Sequence, residues 1–115
     1  MKITVENLLP IIEGNLLTGS DLKTEIEIEG AYVSDLLSDV MGNAREKQVW
    51  ITIMRHLNVI AVASLVGLNP LIFARGIVPD TAVIEKAEAE NICLLNSSLS
   101  TFELVGRIYN LLRSN

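Results

Sequence analysis

Apolar residues recur along this chain in two rhythms, short continuous runs and longer stretches with a period near 3.6. Residues 49–54, 71–74 and 92–95 are short runs rich in Val, Ile and Leu, which predicts strands buried on both faces. Between them, residues 58–68 predict a helix that is apolar on almost every side. Residues 80–90 predict an amphipathic helix with Val83, Ile84 and Ala87 inside and Glu85, Lys86, Glu88 and Glu90 outside. Another helix is predicted after Ser34 as cap, with Leu36, Leu37, Val40 and Met41 inward and Gly42-Asn43 at its end. The last helix has the clearest start. Ser100 and Glu103 are spaced as a capping box, Leu99 and Leu104 as a hydrophobic staple, and Val105, Ile108, Leu111 and Leu112 continue the stripe.

The first third is less regular. Thr4 is placed to cap a short helix carrying Leu8, Leu9 and Ile12, stapled by Ile3 and Leu8 and shortened or kinked by Pro10. Residues 14–24 predict turns around a brief strand. Glu25-Ile26-Glu27-Ile28-Glu29 alternates strictly, the pattern of a half-exposed strand whose glutamates face water and discourage edge pairing.

Strands alternating with helices at this spacing require parallel pairing through right-handed crossovers. The predicted fold is therefore α/β and three-layered, a mainly parallel sheet with helices on both faces. It forms a single domain over residues 1–115, with no linker or low-complexity tract.

Composition narrows the function. Half the residues are hydrophobic and only 4% aromatic, so the core is aliphatic. The formal net charge is −5 and the nine basic residues are scattered, which argues against a nucleic-acid binder. Cys93 is the only cysteine, excluding an internal disulfide and a cysteine-based zinc site. The apolar stretch 57–74 is interrupted by Asn58, Ser64, Asn69 and Pro70 and reads as helix, turn and strand, not as a membrane span. The start of the chain lacks a charged-then-apolar signal pattern, so a cytoplasmic location is expected. His56 is the only histidine. No Gly-x-Ser-x-Gly elbow, P-loop or Gly-x-Gly-x-x-Gly run is present, so no catalysis, cofactor or metal is expected.

Ligands of open α/β sheets sit outside the carboxyl ends of the strands. The loops at that edge hold hydroxyls, amides, a histidine and two arginines, and Asp35, His56, Asn58, Arg75, Ser97 and Thr101 form a candidate site for a small anionic ligand or nucleotide. Asp35 and Asn58 would orient it, Arg75 and His56 neutralise it. The alternative is that these groups only cap helices and close turns. The all-round apolar helix needs cover on every side, which predicts a homodimer in which Leu57, Ala61, Ser64 and Leu65 meet a second copy. Two functions follow: a non-catalytic, homodimeric regulatory module sensing a small ligand, or an interaction module docking a larger enzyme.

Residues 30–44 (Gly-Ala-Tyr-Val-Ser-Asp-Leu-Leu-Ser-Asp-Val-Met-Gly-Asn-Ala), the runs Trp50-Ile51-Thr52 and Asn58 to Ala63, and Thr101-Phe102-Glu103-Leu104-Val105-Gly106-Arg107 together resemble the DRTGG domain family in its small stand-alone form. No contiguous Asp-Arg-Thr-Gly-Gly run is present. The resemblance implies a fold similar to the N-terminal domain of HPr kinase/phosphorylase and a regulatory or dimer-forming role. That domain type also accompanies CBS-domain pyrophosphatases and phosphotransacetylases. Stand-alone members are sometimes labelled serine kinases, but this chain lacks the P-loop which that label requires.

Overall fold

A computed structural model describes residues 2–115. Its elements are α1 (Val5–Ile11), β1 (Gly14–Leu16), β2 (Gly30–Val33), α2 (Leu37–Asn43), β3 (Gln48–Thr52), α3 (Asn58–Val66), β4 (Leu71–Phe73), α4 (Thr81–Ala89), β5 (Leu94–Ser97) and α5 (Thr101–Arg113). The five strands form one sheet in the order β1-β5-β4-β3-β2, with β2 to β5 parallel and β1 antiparallel against β5.

Period-2 alternation within apolar strands builds a core on each face. Ile51, Ile72 and Leu95 point to one side, where Val5 and Leu8 of α1 and Leu104 and Ile108 of α5 cover them. Trp50, Leu71, Phe73 and Leu94 point to the other, under Val40 of α2, Val59 and Ala63 of α3, and Val83 and Ala87 of α4. Both faces of the central strands are fully buried, as their continuous apolar runs require. This is the predicted three-layer α/β architecture.

Several boundaries differ from the sequence pattern, each for a local reason. The fifth strand is displaced towards the C-terminus and includes Asn96 and Ser97. Thr18, whose hydroxyl accepts from Leu94 N at 2.9 Å and donates to Ile92 O at 2.7 Å, holds the chain just before it. Glu25 and Ile26 close a turn through their amides to Leu22 O, and residues 26–29 do not join the sheet. Ile28 N donates to Ile3 O at 2.8 Å and Glu27 makes an isolated bridge to Thr4, so the segment is tied to the N-terminus. Its alternation still sets which residues face inward. Ile28 is buried, while Glu27 and Glu29 share Lys47 at 3.8 and 3.2 Å.

Leu36 and Met41 are exposed, because α2 starts only at Leu37 and turns Val40 to the core. Ser34 does not cap that helix; its hydroxyl accepts from Leu36 N in the preceding turn. Ser100 does cap α5, accepting from Glu103 N at 3.2 Å. The Glu103 carboxylate takes Arg107 instead of closing the capping box, and Arg107 also reaches Glu13 and Ile11 O, fastening α5 to α1.

Cys93 lies under the turn at Gly19, whose backbone (φ 81°) approaches so closely that a Cβ would stand 3.1 Å from Cys93 Cα. Burial, with a smaller contribution from Asp21, pushes the thiol from 9.0 up to about 12. The neutral thiol therefore supports folding fully below its unfolded pKa, and this support is lost as pH rises towards the folded value. Native protein at pH 8 should resist labelling by a thiol reagent and react fully in denaturant. Urea titrations should show stability falling above about pH 9, and less so in Cys93→Ala.

Candidate functional site

Parallel pairing brings four strand ends to one edge at nearly one level. Val33 is in register with Ile51, Thr52 with Phe73, and Phe73 with Asn96. The loops from β2 to α2, β3 to α3, β4 to α4 and β5 to α5 all open there.

Some polar groups at this edge are consumed in building it. Asp35 Oδ1 accepts from Thr52 Oγ1 at 2.7 Å and from Ile53 N at 2.9 Å, latching the first loop to the second. Trp50 Nε1 donates to Ser34 O at 3.0 Å. Ser97 is fully buried; its hydroxyl donates to Ile12 O at 2.7 Å and accepts from Leu99 N. Arg75 N and Gly76 N donate to Leu99 O and Ser97 O, stitching the third loop to the fourth.

The remaining polar groups are free. The side chains of Arg55, His56, Asn58, Arg75 and Thr101 have no hydrogen bond or ion pair with any described residue. Asn58 is the first residue of α3 and not its cap. Leu57 occupies the cap position and offers no side-chain acceptor, and the amides of Val59 and Ile60 donate instead to His56 O and Leu57 O, both at 3.1 Å. Arg75 occupies a costly conformation. It and Gly76 form the centre of a tight turn closed by Ile77 N to Ala74 O, with φ of 62° and 69°. A left-handed arginine is strained by about 1–2 kcal/mol, a cost that clusters at functional positions.

Of the six residues expected to form the site, the fold thus leaves His56, Asn58, Arg75 and Thr101 available, and commits Ser97 and one oxygen of Asp35 to internal bonds. Two further residues belong with them. Arg55 is exposed beside His56, and Phe102, in the first turn of α5, is 89% exposed. Phe102 was legible in principle, since it falls off the stripe set by Leu104, Ile108 and Leu111. Leu36, Leu57 and Val78 are also exposed in these loops. The edge therefore combines two unpaired guanidiniums and an imidazole with an aromatic ring, a set suited to an anion that carries an apolar, planar body.

His56 makes no hydrogen bond to a hydroxyl or carboxylate, so no nucleophile–base pair is assembled there among the described residues. No described group of three or more His, Cys, Asp or Glu is arranged to hold a metal. No helix among the described residues is long and apolar enough to cross a membrane. Away from the edge, the outer side of α3 exposes Leu57, Ala61, Ser64 and Leu65, the last by 75%. Ile60, beside Ala61 in the chain, is buried in the core on the inner side of the helix. The N-terminal helix does not cover α3, because α1 lies on the opposite face.

No family model matches the chain, and no curated protein matches it. Among solved structures, the fold is similar to that of the CBS and DRTGG domains of the regulatory region of Clostridium perfringens pyrophosphatase, complexed with its activator diadenosine tetraphosphate. The TM-score is 0.76 at 16% identity, covering 91% of this chain and 45% of that one. The likeness is one of fold, in line with the DRTGG-like architecture that the sequence resemblance implied.

Relieving the strained turn should separate stability from binding. Arg75→Gly should stabilise the fold by about 0.5–1 kcal/mol, the left-handed penalty less the added freedom of the unfolded chain. Urea denaturation of the variant beside the wild type measures it.

Proposed function

We propose that this chain is an intracellular, non-catalytic regulatory module that senses a small anionic ligand, a nucleotide fitting best, at the carboxyl edge of its sheet. The observation that carries this reading is the pair of unpaired guanidiniums, Arg55 and Arg75, at one edge of a protein whose net charge is −5. Arginines without internal partners are placed to take phosphate oxygens in a fork. Phe102 supplies a face for a base. The regulatory region of similar fold was crystallised with a dinucleotide activator, which supports the same ligand class.

The loops are coupled through Asp35 and through the amides of Arg75 and Gly76. A ligand bridging Arg55 and Arg75 would tighten one loop against another, which gives binding a mechanical readout. The module works as a homodimer, with the outer side of α3 covered by a second copy through Leu57, Ala61, Ser64 and Leu65.

Thermal unfolding against adenine and guanine nucleotides, diadenosine tetraphosphate, acyl phosphates and inorganic phosphate tests the ligand. At a hundred times its dissociation constant a ligand adds about 2.7 kcal/mol, which raises Tm by ~10 °C for a domain of this size. The shift should disappear in Arg75→Gly although that variant is the more stable protein, and should shrink in Phe102→Ala. A flat panel would overturn the sensing reading and favour docking of a larger enzyme.

Ala61→Glu tests the α3 interface separately. Light scattering should show a dimer for the wild type and a folded monomer for the variant. A dimer that survives the substitution would place the interface elsewhere.

A further inference from the structure

The two faces of the sheet are covered unequally. Three helices lie on one face and only α1 and α5 on the other. Two helices about 10 Å wide cover about four strands spaced about 4.8 Å apart, and the strand left over is β2, at the sheet's edge. A groove of about 440 Å³ results, with Ala31 and Val33 as its floor and Val105, Tyr109 and Leu112 of α5 as its wall. Val33 is 46% and Tyr109 62% exposed.

Backbone groups line the same groove. Ser34 N donates to Ile51 O across β3, and Tyr32 is in register with Trp50. Alternation along a parallel pair therefore turns Tyr32 towards β3 and the main-chain groups of Ala31 and Val33 outward. The edge carries none of the lysines, prolines or bulges that usually blunt such strands.

We propose that the groove between β2 and α5 takes an extended segment of a partner protein, which adds antiparallel to β2 as a sixth strand. An extended segment satisfies the outward N–H and C=O groups of Ala31 and Val33 and drops alternate side chains between β2 and Tyr109, whereas a docked helix would leave those groups unpaired.

Charge selects a foreign segment over a second copy of this chain. The two-fold register that pairs Ala31 with Val33 sets Glu29 opposite Asp35 of the second copy at both ends, and like charges directly opposite are destabilising. Charge also sets the direction. Glu29 precedes β2 and is held by Lys47, while Arg113, at the same end of the groove, has no ion pair. An antiparallel segment brings its C-terminal side to Arg113 and its N-terminal side to Asp35, whose Oδ2 accepts no hydrogen bond. The partner segment is aliphatic at alternate positions, basic before them and acidic after them.

Selection from a displayed library of random decapeptides tests this, followed by titration of a labelled synthetic copy of the most enriched sequence. Enriched peptides should alternate aliphatic residues and end them with an acid. Val33→Lys and Ala31→Pro should each weaken binding at least tenfold, with thermal melting showing that the variants fold, and Arg113→Glu should turn the acidic preference basic. No enrichment, apolar residues spaced three and four apart, or binding unchanged in Val33→Lys would overturn the proposal. So would a wild-type dimer that dissociates in Ala31→Pro, which assigns the edge to a second copy. The nucleotide response should be unaffected by all three substitutions, so the two readings fail independently.

Discussion

Parallel pairing of β2, β3, β4 and β5 obliges the chain to cross back over the sheet after each strand, and the rest of the molecule follows from that obligation. Each crossover is a helix that must bury its apolar stripe on one face or the other. Each strand then ends at the same edge, so loops distant in sequence begin side by side. The aliphatic core keeps this edge fixed: Trp50 and Phe73 on one face and Ile51, Ile72 and Leu95 on the other are fully buried. A site whose groups come from four loops depends on that fixed level more than on any one loop.

The edge divides its polar residues between construction and contact. Asp35, Ser97 and Ser100 hold loops and a helix start in place. The side chains of Arg55, His56, Asn58, Arg75 and Thr101 do none of this work. The left-handed backbone at Arg75 sharpens the contrast, because glycine would fit that turn with less strain. Along the lateral margin of the sheet, β2 is left with a bare edge and a half-covered face, since the α1 and α5 layer runs out before the sheet does. The two features adjoin at Asp35 but differ in chemistry, one cationic and aromatic, the other aliphatic with free backbone groups. They carry the two proposals, a small effector at the one and a protein segment at the other.

Most of the architecture was legible in the residues because it rests on local preference for water or core. Continuous apolar runs in a chain of alternating elements imply strands covered on both faces, and the stripes of α4 and α5 mark their inner sides without knowledge of what they touch. The edge loops followed from the same reasoning. Strand ends were less legible. Nothing local says that Asn96 and Ser97 belong inside β5, since polar residues after an apolar run resemble a turn until Ser97 finds Ile12 O, 85 residues away.

Spacing along single elements was enough to settle the α/β alternation, the inward stripes and which residues lie at the carboxyl edge. The tertiary structure alone decided which of those residues remain available. Asp35 is drawn to Thr52 and Ser97 to Ile12, while the Arg75 side chain is left alone. It also decided that β2 stands at an edge and that Val33 is left half-covered there. The physical reason is common to all of these. A partner's identity depends on which strands pair and which helix covers them, and long-range packing fixes that only when the whole sheet is assembled.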